Sequence, residues 1–139
     1  MPTIRFVKLK KPEKAKHLCL LAEKYFSEGK RVLLTVSDDN QGVTLDRFMW
    51  TYSKGAFLPH AYDNGSVECF DEPVVITLKE RNCNNAQVLI MGAPCSLEFV
   101  RRFEQVVDFA ELYDDSLAEA ARERFRQYRE AGFAPDMHE

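Results

Sequence analysis

Three arginines near the end of the chain have a spacing that suits anion binding. Arg122, Arg126 and Arg129 follow the pattern i, i+4, i+7, so on a helix they stack into one line. Phe125 falls at the border between that line and the apolar side of the same helix. A guanidinium group holds a carboxylate through two parallel hydrogen bonds. This combination predicts a receptor for a short acidic peptide that carries a large apolar residue.

The same segment supports a simpler alternative. Glu119, Glu123 and Glu130 lie on the next flank of the helix, three or four residues from the arginines. Helix surfaces of this kind are usually solvated and carry only weak ion pairs. On the pattern alone this alternative is the more common one.

The helix itself is predicted from its ends. Ser116 followed by Glu119 matches a capping box, and acidic residues just before it complement the helix dipole. Gly132 suits the left-handed residue that ends a helix, and Pro135 blocks continuation. The residues expected to pack on the rest of the protein are Leu117, Ala121, Phe125 and Tyr128.

The elements that must position this helix alternate along the chain. Hydrophobic patterns predict strands at 4–9, 31–36, 73–78, 87–91 and 105–109, and helices at 12–28, 41–50 and 96–102. The run at 31–36 is apolar after its first residue apart from Thr35, which is typical of a buried parallel strand. The alternation predicts an α/β fold with a mostly parallel sheet.

Composition limits the classes of protein that fit. With 139 residues, we expect a single domain covering 1–139. The net charge of −3 argues against a general nucleic-acid binder, which is usually basic. Residues 1–16 lack the apolar segment of a secretory signal, and no run is long enough to cross a membrane, so a cytoplasmic location is expected. In that compartment we expect free thiols at Cys19, Cys69, Cys83 and Cys95.

Motifs for nucleotide or metal binding are missing from the sequence. The first predicted strand is followed by Leu9-Lys10-Lys11-Pro12-Glu13, with no glycine to admit a pyrophosphate, and no P-loop is present. His17, His60 and His138 are far apart and belong to no metal-ligand motif. His60 is therefore expected to be a hydrogen-bonded structural residue. No cofactor and no metal are predicted.

Catalytic chemistry has little support. Cys95 or Ser96 at a helix start could act as a nucleophile, but no nucleophile-elbow sequence surrounds them. We therefore expect a protein that is not an enzyme. Two alternatives stay open, namely a small cytoplasmic enzyme or nucleotide-binding domain on a Rossmann-like sheet, and a single-stranded nucleic-acid binder that uses arginine and aromatic side chains.

Residues 48–59 form the second segment of interest, because they are unusually aromatic. Phe48, Trp50, Tyr52 and Phe57 fall within twelve positions. Tryptophan is enriched at the centres of protein interfaces, which favours a partner surface. Aromatic side chains also dominate core burial. The segment alone does not separate these two interpretations.

Three stretches together resemble a known family. They are Gly29-Lys30-Arg31-Val32-Leu33-Leu34, then Leu45-Asp46-Arg47-Phe48-Met49-Trp50 followed by Phe57-Leu58-Pro59-His60, and finally the segment 106–133. In their order and spacing the chain resembles the chi subunit of bacterial DNA polymerase III, an accessory subunit of the clamp-loader complex. The resemblance implies a three-layer Rossmann-like fold with a mostly parallel central sheet flanked by helices. It also implies a non-catalytic adaptor in DNA replication.

The resemblance also implies partners and their sites. The family captures the acidic C-terminal tail of single-stranded DNA-binding protein (SSB), which ends in Pro-Phe, on positions that match Arg122, Phe125, Arg126 and Arg129. An arginine would take the terminal carboxylate, and the phenyl ring would enter a pocket beside Phe125. Family members often carry Tyr at position 125 and Lys at 126, so this chain lacks a hydroxyl there but keeps the cationic charge.

A second family surface is expected to receive another protein. The residues that match it are Trp50, Phe57 and Pro59. The family's partner there is the psi subunit, which links chi to the clamp loader, and in some bacteria a helicase. Neither membrane binding nor direct sequence-specific nucleic-acid binding is implied.

Overall fold

The computed structural model describes residues 2–52, 58–65 and 71–138. Seven strands and four helices lie within these ranges. The strands are β1 Thr3–Leu9, β2 Val32–Thr35, β3 His60–Asp63, β4 Val74–Thr77, β5 Val88–Met91, β6 Gln105–Glu111 and β7 Asp136–His138. The helices are α1 Lys14–Ser27, α2 Asp39–Tyr52, α3 Leu97–Val100 and α4 Asp115–Glu130.

All seven strands form one sheet in the order β3-β4-β2-β5-β6-β1-β7. Every described pairing is parallel, which confirms the predicted α/β class and makes the sheet wholly rather than mostly parallel. The central strands β2, β4 and β5 are buried at every residue, as expected for strands covered on both faces.

The helices cover both faces of this sheet. Leu18 and Ala22 of α1 join Leu45 and Met49 of α2 in the core of one face. The core of the opposite face contains α3 and α4, with side chains such as Phe99, Ala121 and Tyr128. The result is the three-layer arrangement that the resemblance implied.

Two strands were not predicted, and both lie at an edge of the sheet. β3 has only four residues, two of them half-buried, and it follows an aromatic segment rather than a clear apolar alternation. β7 has three exposed residues, so no periodicity marks it. It forms because Gly132, with φ of 93°, ends α4 and turns the chain back along β1.

The start of α4 differs from the prediction. Asp114, not Ser116, is the N-cap: its backbone is extended and its carboxylate accepts a 3.0 Å hydrogen bond from the Leu117 amide. Aspartate caps a helix as well as serine does, and the helix therefore starts earlier. Leu117 is 40% exposed, so its expected packing was wrong, and Ala118 takes the buried position in that turn.

Two other expectations can be compared with the structure. Cys19 and Cys95 are free, whereas Cys83 is disulfide-bonded, so the expectation of free thiols was wrong at that position. Within the described ranges, no helix combines the length and apolar character needed to cross a membrane.

Candidate peptide-binding site on the final helix

The position of α4 on the sheet follows from aromatic packing and a buried ion pair. The ring of Phe125 packs on the ring of Phe6 of β1, with centroids 5.3 Å apart. The ring of Tyr128 also packs on the Phe6 ring, with centroids 5.7 Å apart. Phe6 is fully buried, and Phe125 is half-buried. One edge of the Phe125 ring therefore rests on the core while the other borders solvent.

The ion pair joins Arg124 of α4 to Asp108 of β6. The Arg124 guanidinium donates to the two Asp108 oxygens at 2.9 and 3.2 Å, and the Tyr128 hydroxyl donates to the same carboxylate at 3.0 Å. Burial and the Asp108 charge raise the pKa of Tyr128 well above its ordinary value. Burial opposes the charge on Arg124, but the Asp108 carboxylate more than offsets it and raises the pKa of Arg124.

The outer face of α4 borders a cavity of about 560 Å³. Its lining is Arg122, Phe125, Arg126, Arg129, Glu130 and Met137. All four residues predicted for the tail site thus border one cavity. Sequence reasoning missed Met137, which lies on β7 opposite Phe6 in the parallel register. Only the undetected strand brings this thioether beside α4.

The arginines of this cavity differ in their partners. Arg126 is bound on both sides by carboxylates, Glu123 and Glu130. Arg122 pairs with Glu119 at 3.1 Å. Arg129 makes no ion pair or side-chain hydrogen bond with any residue that the structure describes.

These pairings set the electrostatics of the cavity. The hydrogen bonds that Arg126 donates to Glu123, followed by the charges of Glu123 and Glu130, raise the pKa of Arg126. The same Arg126 hydrogen bonds lower the pKa of Glu123. Both partners therefore stay ionised at neutral pH. The alternative of a solvated, ion-paired helix face is thus partly correct. The site can accept an anion at Arg129 directly, and at Arg122 or Arg126 by displacing a glutamate.

The aromatic segment before β3 divides between core and surface. Phe48 is partly buried against the core, whereas Trp50 is 56% exposed and packs against the His60 ring with centroids 4.6 Å apart and ring planes tilted by 50°. Pro59 is half-buried nearby, and Phe57 lies outside the described residues. Two of the three residues predicted for a second partner can therefore be placed.

The His60 ring that contacts Trp50 is itself held by two oxygen partners. The imidazole is buried, with Nδ1 2.8 Å from the Leu58 carbonyl and Nε2 3.1 Å from an Asp46 carboxylate oxygen. This agrees with the expected structural role of His60.

A second cavity, of about 500 Å³, lies where β1, β2, β5 and β6 end. Crevices at this end of a parallel sheet often bind nucleotides. Here the cations are already engaged: Lys14 pairs with Glu111 at 2.9 Å, and Arg124 pairs with Asp108. The Tyr113 hydroxyl also donates to Glu111, at 2.5 Å. Within the described residues no group of three or more metal-binding side chains occurs.

Comparison with known proteins decides the family. The profile described as "DNA polymerase III chi subunit, HolC" matches residues 1–136. The chain belongs to the DNA polymerase III chi subunit family. A relative named DNA polymerase III subunit chi, from Escherichia coli K12, is 35% identical over 117 residues, or 84% of this chain and 78% of the relative.

Two further chi subunits are similarly related. The protein of that name from Pseudomonas aeruginosa PAO1 is 32% identical over 120 residues, covering 86% of this chain and 82% of its own length. The Haemophilus influenzae Rd protein is 31% identical over 116 residues, covering 83% and 79%. The chi family resemblance inferred from three short stretches is confirmed, and it connects the chain with DNA replication by DNA polymerase III.

Proposed function

We propose that this chi-family protein is a non-catalytic adaptor that binds the acidic C-terminal tail of SSB. The tail would bind in the cavity lined by Arg122, Phe125, Arg126, Arg129, Glu130 and Met137, which we call the α4–β7 cavity. Through a second surface the adaptor would tether SSB to the clamp loader of DNA polymerase III during replication. The observation that carries the proposal is the cavity itself. Its apolar walls, Phe125 and Met137, stand beside a line of three arginines.

The chemistry of the tail fits these walls. A terminal phenyl ring would lie against Phe125 and Met137, where aromatic–aromatic and sulfur–aromatic contacts each add modest stabilisation. The free carboxylate needs a guanidinium, and Arg129 can supply one without breaking an existing ion pair. Acidic residues upstream would then face the remaining arginines.

The glutamates on α4 should keep this binding weak. A tail that reaches Arg126 must displace Glu123 or Glu130, so part of each new contact replaces an old one. Attraction between exposed charges is also screened by salt. Weak, salt-sensitive capture suits an adaptor that exchanges among many SSB tails.

The second surface would supply the tether. Trp50 presents more than half of its surface to solvent beside Pro59, and Phe57 is the third residue that we assign to this surface. The partner would be the psi subunit or a helicase. Two weak contacts on one adaptor, a single domain over 1–139, raise the effective concentration of polymerase near SSB in the cytoplasm.

The test is a fluorescence-anisotropy titration of a labelled acidic peptide ending in Pro-Phe. The protein variants are wild type and Arg126→Ala, and the control peptide lacks the final Phe. The proposal expects binding that requires the Phe and weakens with Arg126→Ala and with added salt. No binding by the wild-type protein at low salt would contradict it.

A further inference from the structure

A second basic surface lies at the carboxyl end of β1. A cavity of about 380 Å³ there is lined by Lys8, Leu9, Lys10, Lys11, Glu13 and His17. The side chains of Lys10 and Lys11 are exposed, and neither makes an ion pair or hydrogen bond with another described side chain. We call Lys8, Lys10 and Lys11 the β1 lysine cluster. Among the residues that the structure describes, Glu13 is the one acidic side chain that lines the same cavity.

Strand and helix geometry places Lys8, the first member of this cluster, on the same side of the sheet as α4. Phe6, which packs on Phe125, and Lys8 point to the same face of β1 because side chains alternate along a strand. α4 starts just after the carboxyl end of β6 and runs back along the sheet, so Arg122 lies nearer than Arg129 to the end of β1. Arg122 and Lys8 therefore lie on the same face of the sheet and toward the same end of β1.

The opposite end of the cavity has a different charge. Glu130 lines it beside Arg129, and exposed Asp136 precedes Met137 on β7. An extended acidic peptide would be repelled at that end and attracted at the lysine end. Its terminal carboxylate, in contrast, needs only the single guanidinium of Arg129.

We infer that the β1 lysine cluster is a second subsite for the tail, which binds the acidic residues upstream of the Pro-Phe end. This inference rests on the proposed function and adds a direction to it. The carboxyl end lies at Arg129, and the chain runs past Arg122 toward Lys10 and Lys11. From Phe6 to Leu9, the last residue of β1, is three strand residues, or about 10 Å, and an extended peptide covers that length in about three residues.

The test uses three labelled nine-residue peptides and three proteins at low salt. The acidic peptide has aspartates at the fourth, fifth and sixth positions from a C-terminal Pro-Phe, the neutral peptide has asparagines there, and the truncated peptide lacks the Phe. The proteins are wild type, Lys10→Ala/Lys11→Ala and Lys24→Ala/Lys79→Ala. The last variant also removes two exposed lysines, but from the last turn of α1 and from the end of β4.

The expected result is selective. Lys10→Ala/Lys11→Ala should lower the affinity for the acidic peptide by about three- to tenfold, as expected for the loss of two exposed ion pairs. The same variant should leave the affinity for the neutral peptide within about twofold of wild type. Lys24→Ala/Lys79→Ala should change neither by more than about twofold. Equal losses for both peptides, or for both variants, would overturn the inference.

Two further outcomes separate the inference from the proposed function. If binding needs the terminal Phe but ignores Lys10 and Lys11, the second subsite is wrong and the tail site stands. If the wild-type protein binds the acidic and truncated peptides equally, both fail. A competing thymidine oligonucleotide whose binding, but not that of the peptide, depends on Lys10 and Lys11 would assign the cluster to nucleic acid instead.

Discussion

The guanidinium of Arg124 on α4 donates two hydrogen bonds, of 2.9 and 3.2 Å, to the buried carboxylate of Asp108 on β6. This pair fixes the rotation of α4 about its axis. At about 100° per residue, Arg122 and Arg126 are each turned about 160° away from Arg124, so they must face outward. The inward arginine thus orients the outward arginines of the α4–β7 cavity.

Breaking this pair should destabilise the protein. Asp108→Asn leaves Arg124 without its anionic partner, and removing one member of a buried ion pair typically costs about 3 kcal/mol or more. The Asp108 side chain is 3% exposed and that of Arg124 is 19% exposed, so solvent compensates little. Urea unfolding of wild type and variant measures the loss.

A matched control exists on α3. Glu98 pairs with Arg102 at 3.2 Å, but both side chains are more than half exposed. Glu98→Gln should change the free energy of unfolding by less than about 1 kcal/mol. Similar losses for the two variants would mean that burial does not give the Asp108 pair its importance.

Releasing Arg126 from its own glutamates should tighten tail binding. Glu123→Gln/Glu130→Gln removes both intrahelical partners, so an incoming carboxylate no longer has to displace them. We expect affinity for an acidic Pro-Phe peptide to rise about two- to fivefold at low salt. Anisotropy titration measures the change.

The control for this prediction removes equal charge elsewhere. Glu23→Gln/Glu28→Gln changes two carboxylates at or near the end of α1, on the opposite face of the sheet. It should shift affinity by less than about twofold. Weaker binding by Glu123→Gln/Glu130→Gln would show that these glutamates contact the peptide favourably.

Met137 should matter to the peptide more than to the fold. Its side chain is 42% exposed and lines the cavity from β7. Met137→Ala removes apolar contact area, so affinity should fall about three- to tenfold while stability changes little. Leu20→Ala, at 41% exposure on α1, is the matched control and should leave affinity unchanged. Unaltered affinity in Met137→Ala would exclude β7 from the site.

The second cavity, where β1, β2, β5 and β6 end, contains Glu111 and gives a pH-dependent prediction. We call this cavity the strand-end crevice. Burial opposes ionisation of Glu111, but hydrogen bonds from Tyr113 and Lys14 outweigh it and lower the pKa of Glu111 below its ordinary value of 4.5. A lowered folded pKa contributes stability above about pH 4.5, and that stability is lost as pH falls through the folded pKa.

Comparison with Glu111→Gln isolates this contribution. The wild type should be more stable than the variant by about 1 kcal/mol or less near neutral pH, since the ion pair is partly exposed. That difference should shrink below about pH 4.5 in urea unfolding measured at a series of pH values. A difference that grows on acidification would contradict the assigned shift.

Much of the fold could be predicted because its signals are local. β2 was predicted from a short apolar run, and the end of α4 was predicted from a single glycine. Each of these signals lies within a few residues of the chain. β7 could not be found this way, because Asp136, Met137 and His138 are all exposed and pair with β1 through their backbone. The helix cap was misplaced because Asp114 and Ser116 are both good N-caps, and backbone geometry chooses between them.

The residues of the candidate site also fall into a group that the sequence predicts and a group that it does not. The i, i+4, i+7 spacing places Arg122, Arg126 and Arg129 on one line from sequence alone. Met137 joins that line only through the pairing of β7 with β1, two segments that are distant in the sequence. Spacing along the chain carries no information about which strand lies beside which.

The most direct test of the central claim is an NMR titration of the ¹⁵N-labelled protein with an acidic peptide ending in Pro-Phe. The account predicts that the largest amide shifts fall at Phe125, Arg126, Arg129 and Met137, and that they vanish when the terminal Phe is removed. Shifts centred instead on Lys14, Glu111 and Tyr113 in the strand-end crevice, or on Trp50, would contradict it.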